Sequence, residues 1–132
     1  MMPSFNLAST VNFEMRIGLR VIDGEFAGRE FALLDGRFVV GRGERSDLRL
    51  HSQRVSRAHC LFVRTDQYVV VSDLKSRNGT WVNGFPIVKS TRLKLGDRVS
   101  VGSCVLQLIS AAMLDPFESQ RDEDETTFLL VN

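Results

Sequence analysis

Cysteine is almost absent from this chain: Cys60 and Cys104 are the two it has. Each lies inside an apolar, strand-like run, which excludes a disulfide-stapled scaffold and reads as a pair of reduced core thiols. Histidine is equally scarce, and His51 and His59 make no ligand-spacing pattern with the cysteines, so no metal and no other cofactor is expected. Long apolar runs are missing too; none approaches the roughly 20 residues a membrane-spanning helix requires, and no membrane association is expected. The opening residues Met1-Met2-Pro3-Ser4-Phe5-Asn6 lack the basic start and apolar stretch of a secretion signal, which gives a cytoplasmic expectation. No segment carries a convincing helical period. Lysine is also rare, with 3 against 14 arginines. Arginine is the better residue for planar, two-pronged recognition of phosphate, whereas lysine offers a point charge; an arginine preference also follows from genomic base composition.

What remains is ordinary material for one soluble domain: 132 residues, 43% hydrophobic and 25% charged. The net charge of +1 conceals an asymmetry, because residues 1–110 carry 16 basic and 10 acidic groups while residues 111–132 carry 1 and 6. A basic body joined to an acidic tail allows the tail to visit the body.

Residues 1–13 read as a flexible leader, residues 14–110 as the folded domain, and residues 111–132 as a flexible, acidic tail. From Met15 to Asp23 apolar and polar residues alternate with the period of a half-buried strand. Further strand patterns follow at 29–34, 37–40, 60–63, 68–71, 80–82, 92–95, 98–101 and 104–109, with a short alternation at Leu48 and Leu50 and an irregular stretch up to Ser90. Turn signals such as Asp35-Gly36 and Asn83-Gly84 separate them. About ten short strands spaced this way predict an all-β antiparallel sandwich with loops gathered at its two ends.

Three polar groups sit where an apolar run meets a turn: Gly41-Arg42, Ser56-Arg57-Ala58-His59, and Asp73-Leu74-Lys75-Ser76-Arg77-Asn78-Gly79-Thr80. All lie at strand ends and can share one surface. Guanidinium groups, a hydroxyl, a carboxamide and turn amides together suit a phosphate and the short backbone around it. Ser56 and His59 invite comparison with a nucleophile and base, but no orienting carboxylate or oxyanion hole accompanies them, so no enzyme is expected.

With Ser46-Asp47-Leu48, Trp81-Val82-Asn83-Gly84, Leu95-Gly96-Asp97 and Val101-Gly102 added in the same order and spacing, the chain resembles a forkhead-associated (FHA) domain from about Met15 to Ile109. The resemblance implies an eleven-stranded β-sandwich that binds phosphothreonine peptides through loops at one end. It implies that Arg42, Ser56, Arg57 and Arg77 address the phosphate or its neighbours, and that Asn78 grips the peptide backbone. It further implies that Arg54 reads the third residue after the phosphothreonine, where charge complementarity favours an acidic side chain. Gly41, His59, Gly79 and Thr80 then shape the site. Read from the residues themselves, Asn83-Gly84 forms a plain hairpin turn, and Trp81 and Val82 pack the core and hold the loop.

The function expected is a phosphothreonine-dependent adaptor in Ser/Thr kinase signalling, with a phosphothreonine-containing protein and a kinase as partners. The alternative is a scaffold that binds proteins through a sandwich face without phosphate. Nucleic acid is not an expected partner, because the arginines cluster in loops instead of lining a stripe with exposed aromatics. In the tail, Thr126 and Thr127 follow the acidic run Asp122-Glu123-Asp124-Glu125 and are candidate phosphorylation sites. A phosphorylated tail docking on an FHA site would regulate the domain within one chain or link copies.

Overall fold

The computed structural model describes residues 16–34 and 36–110. The expected leader, the acidic tail with Thr126 and Thr127, and Asp35 of the Asp35-Gly36 turn lie outside these residues. The described chain contains eleven strands and no helix: β1 (Ile17–Asp23), β2 (Glu30–Ala32), β3 (Gly36–Gly41), β4 (Leu48–Arg49), β5 (Cys60–Arg64), β6 (Val69–Asp73), β7 (Thr80–Val82), β8 (Phe85–Pro86), β9 (Thr91–Leu93), β10 (Arg98–Val101) and β11 (Cys104–Ser110).

Period-two alternation forces each strand to present one apolar face, and two sheets bury those faces against each other. One sheet has the order β2-β1-β11-β10-β7-β8, the other β4-β3-β5-β6-β9. Leu19 and Val21 of β1, Val99 and Val101 of β10 and Leu106 and Leu108 of β11 meet Val40, Phe62, Val69, Val71 and Leu93 of the opposite sheet in one buried core. Cys60 and Cys104 belong to that core, and both thiols are free. Burial pushes the Cys60 thiol far above the usual range and the Cys104 thiol up to about 11, so neither is a ready nucleophile.

Three features depart from the sequence expectation. The β3–β4 pair is parallel, because the 42–47 loop brings the chain back beside β3 in the same direction, with Val40 opposite Leu48. The stretch expected to be irregular contains β8, since Asn83 (φ 51°) and Gly84 (φ 88°) both take the left-handed conformation of a tight hairpin turn and fold Phe85–Pro86 back onto β7. Trp81 does not pack the core: Thr80 takes the inward position on β7, so alternation turns Trp81 to solvent, where it is 40% exposed. Val82 does lean on the core.

Register brings the site loops together. Val40 pairs with Cys60, and Cys60 pairs with Asp73. The end of β3, the start of β5 and the end of β6 therefore share one edge of the sandwich. At the other end Ile17 pairs with Ser110, so the chain enters and leaves the domain away from these loops.

Candidate functional site

The loops joining β3 to β4, β4 to β5 and β6 to β7 form one surface, and mostly uncharged hydrogen bonds hold it. The Arg42 amide donates to the Ser56 carbonyl at 2.9 Å and the Gly43 amide donates to the Arg57 carbonyl at 3.0 Å. This close approach requires Gly41, where a Cβ would stand 2.1 Å from the Arg57 carbonyl oxygen.

His59 is fully buried beneath the loops. Its Nδ1 accepts the Ser56 amide at 3.0 Å, so the ring proton lies on Nε2, which donates to the Gly79 carbonyl at 2.8 Å. One nitrogen accepting and one donating is the pattern of the uncharged ring, and it fixes the spacing between the Ser56 and Gly79 loops. Ser56 is held further by its hydroxyl oxygen, which accepts the Arg77 amide at 2.9 Å. That bond occupies a lone pair and leaves the hydroxyl hydrogen to donate outward.

Arg42 is half-buried, and its Nε donates to the Val55 carbonyl at 2.9 Å. Neither Glu44 nor Asp47 pairs with it among the described residues; a carboxylate oxygen of Asp47 instead accepts the Val39 amide at 2.7 Å. The guanidinium is thereby aimed by its inner nitrogen while its two terminal nitrogens keep their four N–H donors. Arg57 is exposed beside it, and Arg77, whose amide is bonded to Ser56, is exposed on the third loop. Asn78 donates from Nδ2 to the Arg54 carbonyl at 2.8 Å, which leaves one donor and one acceptor of its carboxamide for a ligand's backbone. Arg54 is exposed next to it. The β10–β11 turn supports this corner from behind, for a Cβ on Gly102 would touch Val55 and Arg54.

The chain matches the family description FHA domain over residues 38–102. It also aligns with an FHA domain solved for phosphothreonine-dependent FHA domain interactions, at 32% identity and a TM-score of 0.65, covering 76% of this chain and 98% of that one. The chain belongs to the FHA family. Among whole proteins it is 39% identical over 87 residues to the FHA domain-containing protein FhaA of Mycobacterium tuberculosis, covering 65% of this chain and 16% of FhaA. It is 39% identical over 90 residues to the oxoglutarate dehydrogenase inhibitor of Corynebacterium jeikeium, covering 67% of this chain and 61% of that protein.

The fold of this FHA domain brings Arg42, Arg54, Ser56, Arg57, Arg77 and Asn78 to one surface, with Gly41, His59, Gly79 and Thr80 beneath or between them. Sequence reasoning missed the residue that shapes the third loop. Asp73 accepts the Ser76 hydroxyl at 2.5 Å, the Thr80 hydroxyl at 2.7 Å and the Ser76 amide at 3.0 Å, and the Ser76 oxygen accepts the Gly79 amide at 2.9 Å. The readable signal was an aspartate three residues before a serine, a pattern in which side chains bond the local backbone and set a turn. Asn83 also exceeds its expected role. It donates from Nδ2 to Asp97 at 3.0 Å and accepts the Arg98 amide at 2.9 Å, tying two hairpins together.

Burial alone would raise the Asp73 carboxyl, but hydrogen bonds from Ser76 and Thr80 outweigh it and hold the group below the usual carboxylate range. Its folded value lies below the unfolded value of about 4. Its stabilising contribution is therefore complete above that pH and fades as pH falls through the depressed folded value. In urea unfolding across pH, the stability lost by Asp73→Asn is expected to shrink from about pH 7 to about pH 3; a constant loss would contradict the network. Gly41→Ala is expected to cost about 1–3 kcal/mol or more, because the added carbon meets backbone that cannot rotate away. Unfolding within about 0.5 kcal/mol of the parent would show that the two loops can separate freely.

Proposed function

We propose that this FHA chain is a phosphothreonine-dependent peptide-binding adaptor in Ser/Thr kinase signalling, cytoplasmic and without catalytic activity. The observation that carries this reading is Ser56: three hydrogen bonds immobilise it, its hydroxyl donates to no acceptor among the described residues, and Arg42 borders the same surface. A phosphate supplies the acceptors both groups want, and Asn78 then meets the adjoining backbone. Because the loops are held in place without the ligand, little ordering entropy opposes binding. The same bonds support the non-catalytic part of this reading, since both His59 nitrogens are committed to backbone groups and His59 cannot serve as a base for Ser56. Phosphothreonine-containing proteins are the partners of this reading.

A second reading has its own observation. Trp81, Phe85 and Val88 are 40%, 74% and 93% exposed on and just after the β7–β8 hairpin, apolar side chains available for contact with a protein independently of phosphate. One substitution separates the two. Arg42→Ala removes a charge-assisted bond worth about 1.5–3 kcal/mol, so phosphothreonine-peptide affinity is expected to fall about 10- to 150-fold. Isothermal titration with matched unmodified, phosphoserine and phosphothreonine peptides measures this, and undiminished binding by the variant would favour the β7–β8 face.

Tail regulation belongs to the same proposal. A kinase would phosphorylate Thr126 or Thr127, and the phosphorylated tail would occupy an FHA site in its own chain or in another copy. Thr126 lies sixteen residue steps beyond Ser110, a span that reaches at most about 55 Å, enough to return along the sandwich. Phosphorylated full-length protein is expected to lose peptide affinity as a monomer or to self-associate in sedimentation velocity. Full affinity in a monomer would overturn tail regulation.

A further inference from the structure

Beside the phosphate-binding loops lies an open hollow of about 770 Å³, most of whose lining takes no part in the phosphate site. Arg37, Arg42, Arg45, Arg49 and Arg57 line it, against a single carboxylate, Glu44. Val39, Ala58 and Leu74 add apolar surface. Arg42 and Arg57 belong to both regions, whereas Ser56, Arg77 and Asn78 line only the phosphate side, so hollow and phosphate site adjoin across those two arginines.

Five like charges around one concavity repel each other, and an anionic ligand relieves that repulsion. Few protein groups relieve it. Arg49 donates from Nε to the Arg42 carbonyl at 2.9 Å, a neutral acceptor that positions the side chain without cancelling its charge. Arg37, Arg45 and Arg57 are exposed. Asp47, the nearest other acid on this loop, is spent on the Val39 amide.

The chain contains a matching ligand. Asp122-Glu123-Asp124-Glu125 directly precedes Thr126, so four carboxylates lie within about 14 Å of a phosphate on that threonine. We propose that the arginine-lined hollow is a second anion subsite, and that it holds the acidic run Asp122–Glu125 of this protein while a phosphate on Thr126 occupies the Ser56–Arg42 site. The subsite rests on the phosphothreonine reading, and it turns a general phosphothreonine site into one selective for an acidic stretch before the modified residue.

The test uses unphosphorylated full-length protein and two synthetic peptides covering residues 118–132, both phosphorylated at Thr126. One keeps the acidic run; the other replaces Asp122, Glu123, Asp124 and Glu125 by their amides. At low salt the acidic peptide is expected to bind about tenfold more tightly, and this advantage should shrink as ionic strength rises. In a protein carrying Arg37→Ser and Arg45→Ser the ratio of the two affinities should fall towards one. Arg98→Ser, an exposed arginine on β10 outside the hollow, should leave that ratio unchanged. Equal binding of both peptides by the parent, or an equal fall with Arg98→Ser, would overturn the subsite while leaving phosphothreonine recognition intact. Failure of the parent to bind either phosphopeptide, or any of the matched phosphothreonine peptides, would overturn the phosphothreonine reading and the subsite with it. A third phosphopeptide, with the acidic run moved behind Thr126, should show no advantage that depends on Arg37 and Arg45; an equal one would overturn the stated position of the run.

Discussion

The buried imidazole of His59 is the contact on which the binding surface depends. Its two nitrogens join the backbone of the Ser56 loop to the backbone of the Gly79 loop, 20 residues beyond His59 itself. A lysine or arginine in that place would bring a desolvated charge, and an aliphatic side chain would leave an amide and a carbonyl without partners, a cost of about 1–3 kcal/mol each. The neutral ring, with one acceptor and one donor on opposite sides, spans the gap without charge. Asp73 does comparable work at the start of the third loop, but as an anion, which it can be because hydroxyl and amide donors surround it.

This division of labour explains how so many arginines sit close together without collapsing onto the protein. Backbone groups, His59, Asp73 and the glycines hold the loops, so the guanidinium groups need not act as struts. Arg42 and Arg49 give their inner nitrogens to carbonyl oxygens and keep their terminal donors outward. A surface built the other way, with arginines neutralised by local carboxylates, would have to break ion pairs before accepting a phosphate. Here an anion would add bonds and relieve repulsion together, the kind of preorganisation that makes an exposed, salt-screened site worth occupying.

Much of this was legible in the sequence because it depends on short patterns. Period-two alternation located nine of the strands, and residues at strand ends marked the loops that became the site. Three kinds of feature were not legible. The two-residue strand β8 is too short to carry a period and only its pairing with β7 defines it, while β4 showed as the alternation at Leu48 and Leu50 but its parallel pairing with β3 did not. Trp81 looked like a core residue by hydrophobicity, yet Thr80 holds the inward position because its hydroxyl is needed by Asp73; a polar requirement overrode the apolar preference. The hollow was invisible because Arg37, Arg45, Arg49 and Arg57 come from separate segments that meet only through the β3–β4 and β3–β5 registers.

The same registers decide what tail docking within one chain demands. β1 and β11 are paired along their length, with Ser110 opposite Ile17 at the end remote from the loops. A tail returning to its own site must pass the length of the sandwich, roughly 20–25 Å for a seven-residue strand. The connecting chain is long enough, so the tether forbids nothing, and it raises the local concentration of the tail to about the millimolar range. A phosphorylated tail of only modest affinity would then close its own site at cellular concentrations, while docking between copies would need tighter binding or crowding on a shared partner. Under the proposed tail docking, affinity set by how many anionic groups the surface engages at once would therefore decide between an internal switch and an assembly contact, and the arginines around the hollow would set it.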